Sequence, residues 1–190
     1  MNVSLTLKLI NIEEKKHLLK FMYVFKGKRI SVRIEGVRAR DGKTVEKEIV
    51  EHPGAVVILP LLDNNKVVAI KQFRVAINDW IYELPAGTLD KKETPEECAS
   101  RELEEETGYK AREIKEMFRM YSAPGYSSEI IYSFLAMNLE KGEQKLESSE
   151  VIYPIIVEFN ELLSSILKEK VIDAKTISTL LFYKNFVGKF

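Results

Sequence analysis

Glu102, Glu105 and Glu106 fall within a stretch that reads as one helix signed at both ends. Thr94 can serve as the N-cap, Pro95 as the first helical residue, and Glu97 as the carboxylate reaching back to the cap, so Thr-Pro-Glu-Glu spells a capping box. Gly108 supplies the left-handed position that stops the helix. At about 100° per residue, Ala99 and Leu103 share a buried face and Glu104 points nearly opposite, into solvent. Glu102 and Glu106 lie one turn apart, with Glu105 on the polar border of the stripe. Carboxylates so placed repel one another and crowd the helix end where the macrodipole prefers cations by ~0.3–1 kcal/mol per charge. A bound divalent cation would remove both penalties. All-oxygen ligands suit a hard ion, Mg²⁺ first and Mn²⁺ second.

A Glu-rich run standing alone is more often a solvated face, but here the spacing is specific. Gly87, five residues, Glu93, seven residues and then Arg101-Glu-Leu-Glu-Glu-Glu-Thr-Gly108 form one continuous pattern. With each residue type used at only a few per cent, a chance match is remote. The segment resembles the Nudix box, the signature of hydrolases that cut a diphosphate linked to another moiety. That resemblance implies an α/β protein: a Nudix-type α/β/α sandwich with a mixed sheet, in which the box forms a loop, a helix and a loop. Tyr109 stands where the family usually has Val, Ile or Leu, and can still pack there.

The elements that must position this helix can be read along the chain. Residues 1–52 read as an N-terminal β-element, with alternation over 4–10 and 29–35, an apolar run at 21–25, and an Asp41-Gly42 turn before 44–50. Residues 53–190 would form the hydrolase domain. Ala55–Leu62 is a continuous apolar run of the kind a strand buried on both faces shows. Asp63-Asn-Asn65 turns the chain into a second central strand over 66–73. Strands are expected at 116–121, 130–137 and 151–157, and helices at 160–168 and after an Asp173 cap, with Ile177, Leu180 and Leu181 at core spacing.

Outside the box, Lys71-Gln72-Phe73-Arg74 and Glu83-Leu-Pro-Ala-Gly87 are similar to segments of the ADP-ribose pyrophosphatase branch of the family. The resemblance implies that Arg74 holds a phosphate, with Glu83 also among the substrate-binding residues. It implies that the Ala86 carbonyl joins Glu102 and Glu106 as metal ligands, Gly87 allowing the turn that aims the carbonyl. Glu93 and Arg101 would pair, the arginine steering the glutamate cluster, which Glu105 completes. Pro124 lies sixteen residues after Gly108. With Gly125 and Glu129 it resembles the branch's substrate loop, Glu129 facing the terminal ribose. Related enzymes carry a catalytic carboxylate on the loop corresponding to 138–150. Both Glu147 and Glu150 fit it, with Glu147 preferred.

The 190 residues carry 29 Lys plus Arg against 29 Asp plus Glu, so no global charge attracts nucleic acid or an anionic membrane. The single cysteine, Cys98, falls inside the acidic helix and reads as a packed residue. No signal peptide or membrane-length apolar run is evident, and a cytoplasmic protein is expected. The resemblance implies Mg²⁺-dependent hydrolysis of ADP-ribose to AMP and ribose 5-phosphate. It also implies a homodimer formed through the N-terminal element, with adenine stacked on an aromatic residue such as Tyr23 or Phe25. Two alternatives remain: a broader nucleoside diphosphate sugar pyrophosphatase acting on ADP-glucose or GDP-mannose, and a module that binds ADP-ribose without cutting it.

Overall fold

The computed structural model describes residues 18–90, 92–146, 151–168, 170 and 173–188. The chain divides into two compact units between Glu51 and His52. The strand expected over 4–10 lies outside the described residues, as do Glu147 and Glu150.

In the first unit, β1 (Leu18–Lys26), β2 (Ser31–Arg38) and β3 (Thr44–Glu51) form an antiparallel sheet in that order. The β2–β3 turn closes as its sequence predicts. Gly42 adopts φ 82° and Asp41 Oδ1 accepts from the Lys43 N–H at 3.0 Å.

In the second unit, β4 (Ala55–Leu62), β5 (Lys66–Arg74), β8 (Tyr109–Tyr121), β9 (Ile130–Lys141) and β10 (Ile152–Glu158) form a mixed sheet ordered β10-β5-β4-β9-β8. Two short strands are attached, β6 (Asp79–Glu83) to β5 and β7 (Ala86–Thr88) to β4. The β4–β9 pair is parallel and the other pairings are antiparallel.

The apolar run at 55–62 is explained by its two faces. Ala55, Val57 and Leu59 enter a core with Phe159 and Leu162 of α2 (Phe159–Leu167) and Leu180 of α3 (Ala174–Phe182). Val56 and Ile58 enter a second core with Cys98, Ala99 and Leu103 of α1 (Pro95–Thr107). Helices thus cover both faces of a mixed sheet, the α/β/α sandwich expected. Among the described residues, no helix is long and apolar enough to cross a membrane.

Several elements differ from the sequence reading. β8 begins at Tyr109 rather than 116, its first half alternating half-buried and exposed positions among charged residues that mask the strand signal. β6 and β7 are five and three residues long, too short for periodicity to reveal. After α3 the chain continues as a π-turn over Tyr183–Val187.

Candidate functional site

The acidic helix is held at both ends. Thr94 Oγ1 accepts from the Glu97 N–H at 3.2 Å, and Glu97 Oε2 accepts from the Thr94 N–H at 2.7 Å, which makes both halves of the capping box. Gly108 closes the helix at φ 74°, its N–H donating to Glu104 O at 2.8 Å. The segment after β9 then satisfies carbonyls at this end: Gly142 N–H donates to Gly108 O, Lys145 N–H to Glu105 O and Gln144 Nε2 to Glu106 O.

Packing of Cys98, Ala99 and Leu103 into the core carries Glu102 and Glu106 inward, to 9% and 2% exposure. Both carboxylates meet the β7 backbone. Glu106 Oε2 accepts from the Ala86 N–H at 2.9 Å. The carboxylate of Glu102 occupies the space over Gly87, where a Cβ would lie 1.9 Å from Glu102 Oε1. This corrects the reason for glycine at 87. It lies in strand β7, outside the left-handed region, and is needed because a carboxylate sits on it, not to make a turn.

Arg101 gathers the remaining acids. Its Nε and Nη2 donate to Glu93 at 3.0 and 2.7 Å, and its Nη1 donates to Glu102 at 2.8 Å and Glu105 at 2.9 Å. The Arg101 hydrogen bonds hold Glu93 down at about 2 despite its partial burial. Arg101 is itself shifted upward, chiefly by the bonds to Glu93. Burial pushes the Cys98 thiol upward, as suits a packed and unreactive side chain. Glu104, expected in open solvent, is half-buried and paired with Lys145 at 2.9 Å and Lys110 at 3.3 Å. The carboxylate repulsion that the sequence leaves unanswered is therefore partly met within the protein, by cations that arrive from elsewhere in the fold and from the box arginine.

A second charged group lies at β5, β6 and the start of α3. Glu83 is 1% exposed. Its Oε2 accepts from Arg74 Nε at 2.9 Å and Nη2 at 2.5 Å, and its Oε1 from Lys175 Nζ at 2.8 Å. Lys175 also donates to Asp173 at 2.8 Å. Burial opposes ionisation of Asp173, but the Lys175 charge and bonds from Lys175 and Thr176 outweigh it, and its carboxyl stays below the usual range. Two residues before Arg74 and on the same face of β5, Gln72 Oε1 is buried with no hydrogen-bond partner among the described residues.

The loop between β8 and β9 keeps Pro124 and Gly125 exposed and Glu129 half-buried. Ser128 Oγ ties it to the strand entry by accepting from the His52 N–H at 3.0 Å. His52 Nδ1 accepts from the Gly54 N–H at 3.1 Å, and a Glu129 carboxylate oxygen approaches the same nitrogen at 3.5 Å.

Residues 51–180 match the family described as NUDIX domain. The chain belongs to the Nudix family. It is 41% identical over 155 residues to an ADP-ribose pyrophosphatase of Bacillus subtilis, covering 80% of this chain and 84% of the relative. It is 35% identical over 161 residues to a methanol dehydrogenase activator of Bacillus methanolicus, covering 84% and 87%. Its fold matches a crystal structure of an ADP compounds hydrolase at a TM-score of 0.79, over 90% of this chain and 92% of the other at 20% identity.

In this Nudix fold, α1 and β7 bring Glu93, Arg101, Glu102, Glu105, Glu106 and Ala86 together. Arg74 and Glu83 meet on the β5–β6 pair, while Pro124, Gly125 and Glu129 lie on the separate β8–β9 loop. Sequence reasoning passed over the Gln144 and Lys145 contacts to α1 and the Lys175 contact to Glu83. Lys175 carried a signal: a cation in the first turn of a helix opposes the dipole unless it has another partner.

The fit to a divalent cation can be judged from the donors. Among the described residues, no three His, Cys, Asp or Glu side chains are grouped so as to hold an ion by themselves. Two buried carboxylates beside a main-chain segment are present. That set suits Mg²⁺, which commonly takes one or two carboxylates and completes its shell with water and substrate phosphate oxygens. A shallow depression of about 340 Å³ on the outer side of α1 is lined by Glu97, Ser100, Arg101, Glu104, Glu105 and Lys145. Glu102 and Glu106 are not among its walls, so it lies beside this chemistry and does not contain it.

Proposed function

We propose that this Nudix hydrolase cleaves the diphosphate of ADP-ribose, giving AMP and ribose 5-phosphate, with Mg²⁺ as cofactor and Mn²⁺ able to replace it. The observation that carries the reading is the pair Glu102 and Glu106, buried and set against Ala86 and Gly87 by a box that is complete. The similarity to the Bacillus subtilis ADP-ribose pyrophosphatase supports the choice of substrate.

Phosphoryl transfer asks a protein mainly to position groups and to balance developing charge. In this reading Glu102, Glu106 and the Ala86 carbonyl hold the cation. When bound, it would neutralise the diphosphate and make a water a stronger nucleophile. Arg101 keeps Glu102 and Glu105 from drifting apart, and Glu93 anchors Arg101. A carboxyl held near 2 remains ionised and is a weak base at neutral pH, so Glu93 serves as an anchor rather than a proton acceptor. The proton acceptor is Glu147 or Glu150. Support comes from Lys145, two residues before Glu147, whose N–H is bonded to Glu105 O. Arg74 contacts the diphosphate, and the loop carrying Pro124 and Gly125 brings Glu129 to face the terminal ribose.

The assembly proposed is a homodimer through the N-terminal unit. Its β1 leaves Met22, Val24 and Phe25 more than half exposed, and such apolar groups are usually covered in an assembly. Tyr23 and Phe25 are the candidate stacking partners for adenine. Initial rates on ADP-ribose, ADP-glucose and GDP-mannose test the substrate. Preference for ADP-ribose by an order of magnitude or more is expected, equal rates would establish the broader pyrophosphatase, and binding without turnover of any of the three would leave only a binding module.

A further inference from the structure

We infer that Lys175 is a positioning residue for the diphosphate site, acting through Glu83 on Arg74; the inference rests on the reading of Arg74 as the phosphate contact. Glu83 is buried almost completely, and burying a carboxylate without cationic partners is costly. It has two, one on each oxygen: Lys175 on Oε1 and the Arg74 fork on Oε2. Asp173, the N-cap of α3, takes a second bond from Lys175 and accepts from the Thr176 N–H at 2.9 Å.

The four groups form a neutral chain, Arg74–Glu83–Lys175–Asp173, whose arginine end is about one-third exposed and whose lysine and aspartate are half-buried. Lys175 stands in the first turn of α3, where the helix dipole disfavours a cation. Its place is explained by the two carboxylates it bridges. Without it, two carboxylates would share one guanidinium. The chain would become net negative behind a site for a polyanion, and Arg74 would be held more firmly on Glu83. Lys175 thus sets both the orientation of Arg74 and the charge it presents, although it touches no substrate.

The test compares Lys175→Met, Lys175→Arg, Arg74→Met and the Lys175→Met/Arg74→Met double variant. KM and kcat for ADP-ribose are measured, with the Kd of inorganic pyrophosphate by calorimetry in Mg²⁺ and the Tm of each variant. Lys175→Met should raise KM and the pyrophosphate Kd about tenfold, the scale of one lost charge interaction, and change kcat by no more than about threefold. Lys175→Arg should recover most of the loss. In the Arg74→Met background, Lys175→Met should add almost nothing, because the two act on one interaction. Unchanged KM and Kd in Lys175→Met, fully additive effects, or a fall in kcat alone would overturn the inference. If Lys175→Met does not fold, Lys175→Gln takes its place in the same comparison. If the wild type binds pyrophosphate but leaves ADP-ribose intact, the substrate reading fails and the pyrophosphate Kd values alone decide. If it does neither, the inference falls too.

Discussion

At the scale of the residue, close approach decides more than conformation. Gly87 shows this: a methyl there would overlap the Glu102 carboxylate, so the smallest residue is needed for the acid to rest on β7. Gly87→Ala should therefore displace Glu102 and lower turnover on the order of 100-fold, as misplacement of a catalytic group by an ångström does. Circular dichroism should show the fold retained; near-normal turnover would place Glu102 outside the chemistry. Glu93 yields a pH prediction. Its folded carboxyl lies near 2, below the ordinary 4.5. A depressed carboxyl contributes stability that is fully present above 4.5 and is lost as pH falls toward 2. Metal-free protein should accordingly lose part of its stability across that window, and Glu93→Gln should flatten the loss; parallel urea-midpoint profiles for the two proteins would contradict the pairing with Arg101.

At the scale of the element, α1 was legible because its signals are local. Thr94, Glu97 and Gly108 state the helix ends within the helix's own sequence, and both caps form. Thr94→Ala removes the side-chain acceptor at the N-cap and should cost about 1 kcal/mol, or roughly 2–4 °C in Tm. Calorimetry reads this directly, and an unchanged Tm would show that the helix is fixed by packing alone. β4 was equally plain, since alternate residues feed two cores and leave no polar face. What escaped the sequence was non-local. One of the cations that answer Glu104 comes from Lys145, 41 residues away, the carbonyls of α1 are met by residues 142–145, and Glu83 is reached from α3 across 92 residues of chain. Spacing within one segment cannot report such partners.

At the scale of the molecule, a mixed sheet covered by helices on both faces brings β7, α1 and the end of β9 together, and the Nudix box supplies what is placed there. The fold could be anticipated because the box fixes one loop–helix unit and the apolar runs fix the strands around it. The substrate could not be read in the same way, since the box motif carries no residues for the sugar, and the other proposed substrate residues lie apart from it, on β5, β6 and the β8–β9 loop. The central claim is metal-dependent cleavage at Glu102 and Glu106. The most direct measurement is chromatography of ADP-ribose incubated with wild-type protein and with Glu106→Gln, each with Mg²⁺ or with chelator. AMP and ribose 5-phosphate should appear with wild type and Mg²⁺, be absent with chelator, and fall by orders of magnitude in Glu106→Gln. Equal product in chelator, or full turnover by Glu106→Gln, would contradict the account.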